Sequence, residues 1–426
     1  MLEEIMNRQH LEKALLQVER NKGVGGIDGM QTDELRDYLN ANYQALRQSV
    51  LTGNYEPSPV KRVEIPKPQG GVRMLGIPTV IDRLLQQAIS QWLYQFYEPT
   101  FSAFSYGFRP GKNAHQAVVQ AQTFLNEGKV HVIELDLEKF FDKVNHDKLM
   151  SLLLMRKVTD KATLGLIRQY LRSGIMEGGV VSQRTEGTPQ GSPLSPLLSN
   201  IILDELDKEL TGRGHSFVRY ADDCSIYVES DKSAHRVLGS ITKYIEESLK
   251  LKVNKEKSKV SRPVESTLLG FSFYQSKGKW EIRIAKKSIK RIKEKTKEVT
   301  ARSNGSNTKQ KLLKIKPVIQ GWVNYFSLAK AKSIMEHLDE CVRTRLRMGL
   351  WKEWKNCRTR VVNLLKLGAS KQKSHEWGNS SKAYCRVAHS PILCTTLNNT
   401  YFVKAGYTGF SSTYNRITQE TQTSLF

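Results

Sequence analysis

A chain of 426 residues, 39% hydrophobic and 25% charged, has the composition of a globular protein with two to four domains, which excludes a disordered chain or one dependent on staples. Its net charge of +24 is uneven: residues 286–426 hold 28 Lys and Arg against 8 Asp and Glu, whereas residues 1–285 hold 38 against 34. The first two thirds read as a near-neutral enzyme and the last third as a polyanion-binding surface, while the absence of any apolar run of about 18 residues argues against a membrane span.

The five cysteines, at 224, 341, 357, 385 and 394, form no C-x-x-C pair, so neither a disulfide framework nor a structural zinc site is expected. The start shows no basic stretch followed by an apolar one, and a cytoplasmic location is expected.

Residues 1–50 read as mainly helical, broken at 21–29, where four glycines suggest a flexible turn. No Lys-Ser/Thr follows to make it a nucleotide loop. Val60 to Pro66 and Val72 to Pro78 alternate as two strands around a turn, crowding Lys61, Arg62, Lys67 and Arg73 onto a small ribbon. Solvated surface charge and a triphosphate clamp are both compatible with that crowding. Thr79 to Tyr97 carries Ile81, Leu84, Leu85, Ala88, Ile89 and Leu93 on one helical stripe, which is core. Residues 105–112 interleave Tyr106 and Phe108 with Arg109 and Lys112, a composition that suits either contact with a nucleic-acid backbone or a packed loop before a helix near Ala114.

Val132 to Leu137 is an apolar-rich run with the length of a buried strand, and Asp136 sits at its end. Further on, Tyr220-Ala221-Asp222-Asp223 lies between two β-prone runs, so Asp222 and Asp223 project from a hairpin tip. Adjacent acids at a turn are often only structural. A third carboxylate beside them changes the reading, because buried like charges need cations to neutralise them. A pair of Mg²⁺ ions about 3.5–4 Å apart is expected, the arrangement that activates a 3′-hydroxyl and stabilises leaving pyrophosphate. An aromatic five residues past Asp136, Phe141, is placed to lie under an incoming sugar. His146 reads as a cap or surface group.

Residues 187–196 are dense in turn signals. Gln190 offers an amide to a base or sugar, and Ser195 caps a helix opened by Pro196. Lys255, Lys257 and Lys259 alternate on a strand, and Gly270 interrupts another strand where a primer backbone can approach. Residues 286–360 are helical, with 21 Lys and Arg against 6 Asp and Glu. Lys290, Lys293 and Lys297, then Arg343, Arg345 and Arg347, are candidate phosphate contacts, while Ile315, Ile319, Trp322, Tyr325 and Phe326 pack helix on helix. Residues 361–426 are less periodic, as in a small basic module that orders on RNA or DNA.

Seven blocks occur in order along the chain: Arg62-Val63-Glu64-Ile65-Pro66-Lys67-Pro68, Tyr106-Gly107-Phe108-Arg109-Pro110, Asp136-Leu137-Glu138-Lys139-Phe140-Phe141-Asp142, Gly187-Thr188-Pro189-Gln190-Gly191, Tyr220-Ala221-Asp222-Asp223, Leu269-Gly270-Phe271 and Gly321-Trp322-Val323-Asn324-Tyr325-Phe326. Together they resemble the reverse transcriptase and maturase of bacterial group II introns, particularly the compact kind without an endonuclease domain. The resemblance implies an α+β right-hand polymerase: an N-terminal extension (1–58), fingers and palm with an antiparallel sheet (59–285), a helical thumb or maturase domain (286–360) and a basic DNA-binding domain (361–426).

It further implies Asp136, Asp222 and Asp223 as catalytic ligands of two Mg²⁺ ions, with the Leu137 carbonyl as an added ligand. Lys67 and Arg73 fall on the triphosphate contacts, Phe141 on the sugar gate and Gln190 on the nucleotide pocket. The implied partners are intron RNA, an RNA template, a DNA primer or target, and dNTPs. Ser192 stands where the family commonly has glycine, which leaves the backbone of that loop open. Two other roles use the same residues: a domesticated relative serving DNA repair or phage defence, and a splicing-only RNA-binding protein. The intact carboxylate set speaks against the last.

Overall fold

The computed structural model describes the chain except residues 67–69, 157, 178 and 424–426, with the backbone alone at 421–423. It divides into two units, Met1–Ser266 and Thr267–Phe426. Helices and largely antiparallel sheets share the chain, as the α+β expectation requires; one strand pairing, Val60 and Lys61 with Ile175 and Met176, is parallel.

The first unit contains two four-stranded sheets. One is formed by β1 (Val60–Pro66), β2 (Val72–Ile77), β4 (Ile175–Glu177) and β5 (Val180–Ser182), in the order β2-β1-β4-β5. The β1–β2 ribbon follows the sequence alternation, with Ile65 opposite Arg73. β4 and β5 have three residues each, too short for a period to show. The other sheet joins β3 (His131–Leu135), β6 (Ser216–Tyr220), β7 (Asp223–Val228) and β8 (Lys259–Ser261) in the order β6-β7-β3-β8. β3 is an inner strand paired with β7 and β8, and its residues are buried on both faces apart from the half-buried Glu134, which is why it reads as an apolar run rather than an alternation.

Helices Ala114–Asn126, Ser195–Gly212 and Asp231–Glu247 pack on this sheet. Val80–Tyr97 is the helix expected from its stripe. Thr79 is its N-cap, accepting from the Asp82 N–H at 3.2 Å. The Arg83 guanidinium donates to the Val24 carbonyl of the glycine-rich turn and to the Pro78 carbonyl.

Two local expectations fail. Residues 251–258 are not a strand carrying alternating lysines. Asn254 Oδ1 accepts from the N–H groups of Glu256 and Lys257, an Asx turn that competes with strand geometry, and only Lys259–Ser261 joins the sheet. Ser195 does not cap its helix. Its hydroxyl donates to the Pro189 carbonyl at 2.8 Å and is buried.

The second unit opens with the hairpin of β9 (Phe271–Ser276) and β10 (Lys279–Ile284). Helices Lys286–Val299, Thr308–Phe326 and Lys332–Glu353 follow. The hairpin groups with these helices, its Phe271 ring 5.0 Å from Phe326. Residues 361–426, expected to order on nucleic acid, form further helices through Phe410–Thr423, with Leu364, Val387, Leu393, Phe402 and Phe410 buried. No helix of the described residues is long and apolar enough to cross a membrane. The five cysteines are free thiols.

Candidate active site

β3 ends at Leu135, and the next residue is anchored from the far side of the sheet. The Asp136 N–H donates to Ser258 Oγ at 3.0 Å, and the Asp136 carbonyl accepts from the Asn254 N–H at 2.8 Å. Leu137 forms an antiparallel bridge with Val253, while the adjacent Glu138 N–H donates to the Lys252 carbonyl at 2.8 Å. In such a non-hydrogen-bonded pair the peptide groups of Leu137 point away from Val253, which leaves its carbonyl as a candidate oxygen donor.

The hairpin expected around the paired acids is present. Tyr220 pairs with Asp223, so Ala221 and Asp222 form a two-residue turn. Ala221 has φ 56°, a left-handed conformation that costs an L-residue about 1–2 kcal/mol. The 105–107 segment braces this turn. The Tyr106 N–H donates to the Arg219 carbonyl at 2.8 Å, and an ideal Cβ on Gly107 would lie 2.1 Å from the Ala221 nitrogen, so only glycine fits there.

The predicted carboxylates feel one another's charge. Burial, then the charge of Asp136, raises the Asp222 carboxyl above its ordinary range, and Arg73 on β2 offsets part of that shift. Burial and the charges of Asp222, Asp136 and Glu134 push Asp223 up to about 6. Glu134 is a fourth acid that the sequence reading missed. It shares a face of β3 with Asp136, two residues away, and accepts from Ser261 Oγ at 2.7 Å. Lys257 stands against the cluster, its Nζ 3.5 Å from Asp136 Oδ2.

Among the described residues no three Asp, Glu, His or Cys side chains are gathered closely enough to hold one metal ion. The donor set nonetheless suits a hard divalent cation. It is made of oxygens alone, and its members repel one another until a positive charge arrives.

The other nucleotide-pocket candidates converge through the 187–192 loop. The Gly187 N–H donates to Val144 O at 2.8 Å, the Thr188 N–H to Phe141 O at 2.6 Å, and the Gly76 N–H on β2 to Gln190 O at 2.8 Å. The half-buried Phe141 ring packs edge-on against Phe140, with centroids 5.3 Å apart. Ser192, the departure from glycine, is buried. Its hydroxyl donates to Gln86 Oε1 and accepts from the Leu194 N–H, so the site built around it supplies the partners a hydroxyl needs. His146 is not a surface group: it is buried, and its Nε2 lies 2.7 Å from the Gly187 carbonyl. Burial holds its pKa below the ordinary value, so a neutral ring donates this bond. Lys67 falls outside the described residues.

Three nucleic-acid candidates are occupied within the protein. The Arg109 side chain is only 6% exposed, paired with Glu98 at 2.7 Å and bonded to the carbonyls of Ser102 and Ser105. Arg347 is buried and donates to the Leu397 carbonyl at 3.0 Å. Gly270 (φ 84°) is approached by its own unit, since a Cβ there would lie 2.9 Å from Ser288 Oγ and 3.3 Å from the Phe326 ring. Short aromatic-basic runs look alike whether their cations face solvent or pin a loop, and burial decides which. Lys112 is half-buried over the Tyr106 ring, 5.2 Å from its centroid, and Arg343 is half-buried. Lys290, Lys293 and Lys297 are exposed along Lys286–Val299.

Two stretches of the chain match known protein families. The reverse transcriptase (RNA-dependent DNA polymerase) family model matches residues 65–273, and the group II intron maturase-specific domain matches residues 289–368. Protein YkfC of Escherichia coli (strain K12) is 33% identical over 273 residues, covering 55% of this chain and 71% of YkfC. Group II intron-encoded protein LtrA of Lactococcus lactis subsp. cremoris is 35% identical over 243 residues, covering 56% of this chain but only 39% of LtrA. A chain in a solved structure entitled "Partial Cas6-RT-Cas1--Cas2 complex" is 23% identical over 58% of this chain and 42% of that one, with a TM-score of 0.33. The chain belongs to the reverse transcriptases of the group II intron type, RNA-directed DNA polymerases that depend on divalent metal and carry a maturase-specific domain.

Proposed function

We propose that this protein copies RNA into DNA at the Asp136, Asp222 and Asp223 site and binds intron RNA to assist splicing and mobility. The observation that carries the reading is the convergence of the β3 end and the β6–β7 turn, where Asp222 and Asp223 are both driven above the ordinary carboxylate range by burial and like charge. Residues 59–285 act as fingers and palm behind an N-terminal extension at 1–58. Residues 286–360 form the thumb and maturase surface, and 361–426 a DNA-binding region.

Asp136, Asp222, Asp223 and the Leu137 carbonyl would hold two Mg²⁺ ions, which would supply activation of the attacking 3′-hydroxyl and stabilisation of the leaving pyrophosphate. The chain's own residues do the positioning. Arg73 and Lys67 neutralise triphosphate charge, Gln190 contacts the nucleotide, and Phe141 closes the space a 2′-hydroxyl would need. RNA and DNA phosphates are contacted in the first unit by Lys112 and Lys257, and in the second by Lys290, Lys293 and Lys297 on the basic helix Lys286–Val299 and by Arg343.

Primer extension and filter binding on the same variants test the reading. Asp222→Ala and Asp136→Ala should abolish cDNA synthesis and leave RNA affinity within about twofold, since ligation and grip use different residues. Retained extension in either variant would overturn the metal assignment.

A further inference from the structure

Beneath the turn that carries Asp222 and Asp223 lies a fully buried guanidinium that the chemistry above does not use. Arg219, on β6, is 0% exposed, as is its partner Asp207 on the Ser195–Gly212 helix. Nε and Nη2 of Arg219 donate to the two Asp207 oxygens at 2.7 and 2.6 Å. Nη1 reaches Asn200 Oδ1 on the same helix at 3.0 Å and the Ala221 carbonyl at 2.9 Å. Asn200 in turn donates its Nδ2 to the Gly107 carbonyl at 3.0 Å, so both walls of the turn are referred to one helix.

We infer that Arg219 is a positioning residue for the metal-binding carboxylates: it transmits the placement of the Ser195–Gly212 helix to the left-handed Ala221 and thereby fixes where Asp222 and Asp223 stand. This rests on the polymerase reading above. A role in stability alone would not require this chemistry, because a buried ion pair is often replaced without loss by apolar side chains of similar volume. An apolar side chain has no donor for the Ala221 carbonyl. A planar fork is also needed, since one ammonium does not reach Asp207, Asn200 and Ala221 together. The strained turn needs such a hold, for at φ 56° Ala221 lies outside the conformations alanine prefers.

The test is the double variant Arg219→Met/Asp207→Leu, which removes both charges at once, beside Arg219→Lys, which retains the pair. Mn²⁺ binding is read by its EPR signal, on full-length protein holding template, a chain-terminated primer and dNTP, so that no turnover is needed. Single-nucleotide addition is then measured separately. With a melting transition near that of the unsubstituted protein, the double variant should need at least about fivefold more Mn²⁺ for half-saturation and lose at least about tenfold in kcat, with KM for dNTP within about threefold. Misplacement of reacting groups by about 1 Å costs up to ~10²-fold in rate.

Arg219→Lys should shift the same way, and it decides the matter should the double variant not fold. A folded variant with native Mn²⁺ titration and kcat would overturn the positioning role. Absence of primer extension by the unsubstituted protein would instead count against the polymerase reading, and the Mn²⁺ titration would still report on Arg219.

Discussion

Lys257 Nζ lies 3.5 Å from Asp136 Oδ2, placing one ammonium at the edge of a cluster of four acids. Lys257 belongs to the Asx turn whose Ser258 also anchors the Asp136 backbone. The same turn therefore sets the position of the first carboxylate and supplies a counter-charge. With 68% of the lysine side chain exposed, solvent screens that charge, so it neutralises the cluster only weakly.

The raised carboxyls make a prediction about pH. An unfolded Asp titrates near 3.9, whereas folded Asp223 titrates at about 6 and Asp222 is also raised. Between about pH 4 and 6 the folded protein holds protons that the unfolded chain has released, so the contribution of these groups to stability is greatest below pH 4 and declines as pH rises. Mg²⁺ held by the ionised acids, as proposed, would reverse the penalty. Its addition should raise the melting temperature more at about pH 7.5 than at about pH 5. Equal shifts in differential scanning fluorimetry at the two pH values would show that Mg²⁺ is not bound by these carboxylates.

Phe141→Ala should raise ribonucleotide incorporation by about tenfold or more, since discrimination by steric exclusion is lost with the ring. Competition between dNTP and NTP in single-nucleotide addition measures it. The carbonyl of Phe141 still accepts from the Thr188 N–H, so the substitution leaves the loop's backbone anchor in place. Unchanged selectivity would move the gate to another residue.

On the helix Lys286–Val299, neutralising Lys290, Lys293 and Lys297 together should weaken RNA binding. It should also flatten the slope of log affinity against log salt by up to about 2, at about 0.7 per contacted phosphate. All three are exposed; Lys290 lies 4.0 Å from Glu294 and Lys293 Nζ 3.0 Å from His337 Nε2, weak surface contacts that leave the charges available. Filter binding across a salt series reads both quantities. A native slope would show that this face is merely solvated.

Arg109 should behave differently from those lysines. Arg109→Ala leaves Glu98 and two loop carbonyls without their donor and should cost about 3 kcal/mol in urea unfolding. Under conditions where the variant remains folded, its salt slope for RNA should match that of the unsubstituted protein. A slope reduced by about 0.7 would restore Arg109 as a phosphate contact.

What the amino-acid sequence determined by itself was whatever depends on neighbours along the chain. The β1–β2 ribbon, the hairpin carrying Asp222 and Asp223, the Val80–Tyr97 stripe and the basic helix at Lys286–Val299 all follow from local period, turn chemistry and charge. The seven ordered motifs pointed to the family through residue identity. Tertiary structure alone decided which charges are free. Arg109 and Arg347 look like surface cations in sequence and are locked inside, whereas Glu134 and Arg219 look incidental and lie at or beneath the acidic turn. The reason is that burial and partner choice arise between residues as far apart in the chain as Asp136 and Ser258, or Ser192 and Gln86, and no local period encodes such contacts. The fate of 251–258 has a mixed origin: its alternating lysines suit a strand, the local Asn254 turn competes with that geometry, and the bonds of Asn254 and Ser258 to Asp136 join distant parts of the chain.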